Sequence, residues 1–153
     1  MLILKVSNAF WLALLIIIFS PDDQLSLSRL NSKLTLTYKS DLRYLKKYEG
    51  LYPQKVKLLG NNPLTKRLEF LLKEKYSFLI KTWGPEIPIK LKGNTFIAWG
   101  CQQHNCSNTN FTIIVDFTKN VLYVGIREEE NLKIYSEDGS KNIEVTNWAN
   151  RTN

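Results

Sequence analysis

The period of the hydrophobic positions changes several times along the chain. Residues 1–20, "MLILKVSNAFWLALLIIIFS", place Lys5 ahead of an unbroken apolar block from Ala9 to Phe19, and a polar "SPDDQ" follows. Residues 21–40 form a polar lead-in with loose alternation at Leu25, Leu27, Leu34 and Leu36. From Asp41 the apolar positions fall three apart, at Leu42, Leu45 and Tyr48, and Gly50 stops the turn. The strongest helical pattern lies in "NNPLTKRLEFLLKEKYSFLIKTW": Asn62 is an N-cap, Pro63 takes the first helical position, and Leu64, Leu68, Leu71, Leu72 and Leu79 mark one face. This predicts one helix to residue 83, with a Glu69–Lys73 pair on another face and "GPEIP" as its terminator. It is a packing element without chemistry of its own.

At Ile87 the period becomes two. "IPIKLKG", "NTFIAWG", "FTIIVDF", "VLYVGIR" and "LKIYSEDG" are short β-branched and aromatic runs, separated by Asn, Gly, Lys and Glu turns. Asp138-Gly139 is a turn dipeptide. No element is assigned after it, and no repeat or low-complexity tract occurs. The expected fold class is α+β: N-terminal helices packed on an antiparallel β-meander sheet, in a domain covering residues 41–153.

Composition sharpens this picture. A chain of 153 residues, 44% hydrophobic and 23% charged, is long enough for one globular core. The 21 Lys and Arg against 14 Asp and Glu give a net charge of +7, which favours anionic partners. There is no long basic run and no nucleic-acid motif, so nucleic acid is not an expected partner. Residues 1–20 have the layout of an export signal, although no small-x-small cleavage pattern occurs and Pro21 disfavours cleavage. The block is shorter than the roughly 20 residues of a spanning helix. A cleaved signal, an uncleaved N-terminal membrane anchor and a buried core helix are the three readings, and export is carried forward. Cleavage would remove one charge, Lys5, and lower the net charge from +7 to +6.

Both cysteines and the only histidine stand in "GCQQHNCS". After export, two nearby thiols are expected to form a disulfide. A Cys101–Cys106 bond would contribute about 2 kcal/mol through so small a ring, so its larger effect would be to fix Gln102, Gln103, His104 and Asn105 in one shape. The His104 imidazole can donate from one nitrogen and accept at the other. Two readings stay open: a closed strand connection with a solvated histidine, or a recognition loop. Zinc would need about four ligands where the loop offers three, and a redox pair is usually Cys-x-x-Cys. A Cys–His nucleophile would be consumed by oxidation, and Glu128, Glu129 and Glu130 read as a solvated turn. Neither an enzyme nor a cofactor or metal site is expected. The triplets beginning at Asn105, Asn110 and Asn150 fit the N-glycosylation pattern by chance in Asn-rich segments.

This loop and its flanks, roughly residues 93–130, resemble the Ivy family, inhibitors of vertebrate lysozyme from Gram-negative bacteria. The family loop reads Cys-Lys-Pro-His-Asp-Cys, and Cys101, His104 and Cys106 keep its pattern. The likeness continues through "NTFIAWG" and "SNTNFTIIVDFTKNVLYVGIREEE". It implies a periplasmic or secreted inhibitor whose disulfide-closed loop enters the cleft of lysozyme or a related muramidase, with His104 hydrogen-bonding the catalytic acid pair. Three positions depart from the family: Gln102 replaces Lys, Gln103 replaces a stiffening Pro, and Asn105 replaces an acid. Lysozymes of the chicken type are themselves basic, so long-range repulsion would slow association. The alternative is an envelope protein that binds anionic peptidoglycan or a bacterial lytic transglycosylase.

Overall fold

A computed structural model describes residues 24–26, 29 and 40–151. The export segment at residues 1–20 lies outside the described residues, as does most of the lead-in, of which residues 24–26 and 29 are helical. Those few residues belong to a unit ending at Leu34, separate from the unit that begins at Thr35 and carries everything below.

The first turn obeys its spacing literally. Apolar residues three apart suit three residues per turn, and Arg43–Tyr48 is a 3-10 helix with Leu42 and Leu45 fully buried. Gly50 follows at φ 76°. Helix α1, Pro63–Leu72, starts as its sequence dictates. The Asn62 side chain accepts from Thr65 N at 3.2 Å, and Thr65 Oγ1 accepts from Asn62 N at 3.0 Å.

The single helix expected to residue 83 is in fact two. Lys73 sits at φ 51° and ψ −120°, ending α1 and opening α2, Glu74–Thr82. The expected Glu69–Lys73 ion pair does not form among the described residues; the Lys73 backbone N–H still completes the last helical bond, to Glu69 O at 2.9 Å, before the chain turns. The break re-aims the second segment. Phe78 meets Phe111 edge-on at 5.8 Å between ring centres, and Trp83 stacks on the same ring at 6.0 Å.

Five strands follow in a meander: β1 Lys90–Lys92, β2 Thr95–Cys101, β3 Thr109–Asp116, β4 Val121–Glu128 and β5 Asn131–Ser136. Each pairs antiparallel with the next, in the order β1-β2-β3-β4-β5. One face carries Phe96, Ala98, Phe111, Ile113, Val115, Leu122 and Val124 against Leu64, Leu68 and Leu79 of the helices. The architecture is therefore α+β, with helices on an antiparallel meander.

The other face is covered by an element the periodicity did not announce. Helix α3, Ile143–Ala149, lies over Ile114, Val121 and Tyr123 with Val145 and Trp148. Trp148 rests on Gly125, where a Cβ would come within 2.2 Å of the indole. Covered on both faces, β3 and β4 are buried along most of their length.

Candidate functional site

The β2–β3 connection extends the ladder one step past its last register pair, Cys101↔Asn110, through Gln102 N donating to Thr109 O at 3.0 Å. Cys101 and Cys106 are disulfide-bonded, with Cα atoms 4.9 Å apart. Within the ring, Asn105 N donates to Gln102 O at 3.1 Å, closing a tight turn over Gln103 and His104. A second turn follows, with Asn108 N and Thr109 N both donating to Asn105 O, at 3.2 and 2.8 Å. His104 occupies the left-handed region at φ 62°, a conformation in which His is several-fold enriched among non-glycine residues. Its side chain is exposed, and the imidazole makes no hydrogen bond among the described residues.

The four tip residues divide by role. Asn105 Nδ2 donates to Gln102 Oε1 at 2.9 Å and to Thr109 Oγ1 at 3.3 Å, while Asn105 Oδ1 accepts from Asn108 Nδ2 at 3.0 Å. Asn105 is half-buried and braces the turn. Gln103 and His104 are exposed at the turn that Gln102 and Asn105 close. Where the family loop carries the opposite charges of Lys and Asp, this chain carries a neutral amide pair in mutual contact.

Support comes from residues that the sequence offered as something else. "GPEIP" ends α2 and then runs beside β2: Gly84 N donates to Cys101 O at 2.8 Å, Cys101 N donates to Pro85 O at 2.9 Å, and Glu86 bridges Gly100. Trp83 lies against Gly100, where a Cβ would come within 2.4 Å of the ring, and its indole N–H donates to Glu86 at 2.8 Å. A cleft of about 530 Å³ opens between this strap and residues 53–60, with Gln103 at its margin. Asn110 is buried: its Nδ2 donates to Cys106 O at 2.9 Å and its Oδ1 accepts from Trp148 Nε1 at 3.0 Å. A residue that reads as a chance glycosylation acceptor is a post under the loop, inaccessible in the folded chain. The signal that would have found it is its place in β3, paired with Cys101.

The acidic turn lies next to the loop. Glu129 N donates to Asn108 O at 2.8 Å, and Ser107, Asn108, Glu129, Glu130 and Asn131 line one shallow concavity. Glu128 pairs with Lys75 at 2.6 Å, whereas Glu129 and Glu130 form no ion pair among the described residues. No group of His, Cys, Asp or Glu among the described residues is placed to hold a metal ion.

A polar loop closed by a disulfide is thus braced by the 84–86 strap, by Asn110 and by the acidic turn, and it presents one imidazole to solvent. The family model "Inhibitor of vertebrate lysozyme (Ivy)" matches residues 63–152, and the chain belongs to that family. The family is one of lysozyme inhibitors, not enzymes, and its members are exported to the periplasm. No curated protein and no solved structure matches the chain. Among the described residues, no helix is long and apolar enough to cross a membrane.

Proposed function

We propose that this chain is an exported inhibitor that closes the active-site cleft of a lysozyme with the loop 101–106, led by His104. The observation that carries this reading is the exposed imidazole, with neither ring nitrogen in use among the described residues, at the tip of a disulfide-closed double turn. A muramidase of this type works with two carboxyl groups of unequal pKa on either side of the scissile bond. An imidazole between them donates to the carboxylate and accepts from the protonated acid, filling the place of the sugar. Because the turn is already hydrogen-bonded, the loop gives up little freedom on entering the cleft. Adding the purified protein to chicken-type lysozyme should slow lysis of a bacterial suspension in proportion to the inhibitor present. Undiminished lysis at a large molar excess would remove this target.

The net charge of +7 works against encounter with a basic enzyme, and the local charge beside the loop works for it. Glu129 and Glu130 put two carboxylates, without an ion pair among the described residues, next to the inserting turn. Neutralising both, as Glu129→Gln with Glu130→Gln, should lower the association rate about three- to tenfold at low ionic strength. The difference should vanish at roughly 1 M salt, where the Debye length is about 3 Å. An association rate that is the same at low salt would mean the turn does no steering.

A further inference from the structure

The sheet face opposite the main helices carries a second concave surface, independent of the loop. Between β1 and α3 a groove of about 370 Å³ is floored by Ile97, Trp99 and Trp148. It continues past Trp99 and Trp148 toward Arg127. The floor arises from the pleat: Trp99 faces Thr112 across β2–β3, and Thr112 faces Gly125 across β3–β4, where the missing side chain admits Trp148.

Trp99 is half-buried, one side packed on the Ile114–Trp148 cluster. Its ring meets no other aromatic ring and no cation, and its indole N–H has no partner among the described residues. Trp148, by contrast, is committed, with its N–H on Asn110 and the Arg127 guanidinium 5.7 Å from its ring centre.

The rim is cationic. Lys90, Lys92, Arg127 and Arg151 border the two connected concavities against the single carboxylate of Glu144. That carboxylate is taken by Lys92 at 2.8 Å. Arg127 is held in place by Ala149 O at 3.0 Å. The Lys90 and Arg151 side chains make no hydrogen bond or ion pair among the described residues. An available indole beside unpaired cations matches a ligand with flat, C–H-rich rings and carboxylates, which is the chemistry of an acidic aminosugar polymer.

We propose that this groove binds a carboxylate-bearing glycan strand of the peptidoglycan type, with one sugar ring stacked on Trp99 and its carboxylates on Lys90 and Arg151. This surface is separate from the inhibitory loop. It would hold the inhibitor on the polymer that a lysozyme attacks, leaving the loop free.

The test is co-sedimentation of the whole protein with purified peptidoglycan sacculi, and with chitin as a neutral aminosugar control. The wild type should pellet with sacculi and stay in solution with chitin. Trp99→Ala should weaken binding about tenfold, in line with the loss of one aromatic contact of about 1.5 kcal/mol. Lys90→Glu with Arg151→Glu, two surface changes that leave the core alone, should weaken it at least as much and remove its salt dependence. Slowing of lysozyme by Trp99→Ala, which changes no charge, should equal that of the wild type, so glycan binding and inhibition can fail separately. Equal pelleting with chitin, or sacculus binding unchanged in the charge-reversed variant, would overturn the proposal. So would a Trp99→Ala protein that is folded by circular dichroism and binds sacculi as tightly as the wild type.

Discussion

Replacing Arg67 by Ala is expected to cost about 3–5 kcal/mol of folding stability, the range for removing one member of a buried ion pair. Arg67 is 1% exposed in the middle of α1, and its five N–H groups are all in use. Nε donates to Glu137 Oε1 at 2.8 Å, and Nη2 donates to the other oxygen of the same carboxylate. Nη1 donates to Ser40 O and to Asn120 Oδ1, both at 2.7 Å, and Nη2 reaches Asn120 O at 2.8 Å. One side chain thus ties the segment before the 3-10 helix, α1, the β3–β4 turn and the end of β5. In Arg67→Ala the Glu137 carboxylate stays buried with, among the described residues, only Leu122 N, at 2.8 Å, to meet its charge. Lys offers three donors from a point charge in place of a planar fork, so Arg67→Lys should recover little. Arg67→Met with Glu137→Leu should be milder than Arg67→Ala, because no unpaired charge remains in the core. Urea unfolding followed by circular dichroism measures all three. A loss below about 1 kcal/mol for Arg67→Ala would mean that water reaches the pair and the clamp is not dry.

That clamp shows where reading the sequence stops. Local signals survived: the Asn62–Pro63 start of α1, the switch to period two at Ile87, and the turns that separate the strands. Arg67 carried no such signal, since a basic residue within a helical pattern is ordinarily solvated and its partner lies 70 positions away. The kink at Lys73 was hidden because leucines continue on either side of it, and only packing of Phe78 and Trp83 on Phe111 requires the change of direction. Helix α3 has seven residues, three of them β-branched, so propensity argues against it. Its one local mark is Asn142, whose side chain accepts from Glu144 N at 2.8 Å. In the same way Cys101, His104 and Cys106 stood out by rarity. The posts beneath them, Asn110, Trp83 and Glu86, are ordinary residues whose role exists only once the strands have paired.

Of the changes at the loop, His104→Ala should have the largest effect on inhibition. If the imidazole sits between two carboxyl groups in a closed cleft, it is a central, desolvated contact, and truncating such a residue costs about 2–4 kcal/mol. The inhibition constant should then rise roughly 30- to 1,000-fold. Stability should fall by no more than about 1 kcal/mol, because the ring is exposed and makes no hydrogen bond among the described residues, which leaves only the poorer fit of Ala to the left-handed backbone. This contrast separates a lost plug from a collapsed loop. His104→Asn tolerates the left-handed backbone and keeps a donor and an acceptor on a shorter side chain, so it should fall between the wild type and Ala. Reduction of Cys101–Cys106 acts on the other half of the device. The turn keeps its internal hydrogen bonds and Asn105 still spans Gln102 and Thr109, so dithiothreitol should weaken inhibition less than His104→Ala does. The rise should come to about tenfold, from the freedom the loop regains before binding. Lysozyme turnover measured against inhibitor concentration for each form decides the matter: if His104→Ala inhibits as strongly as the wild type, the imidazole is not the group that fills the cleft.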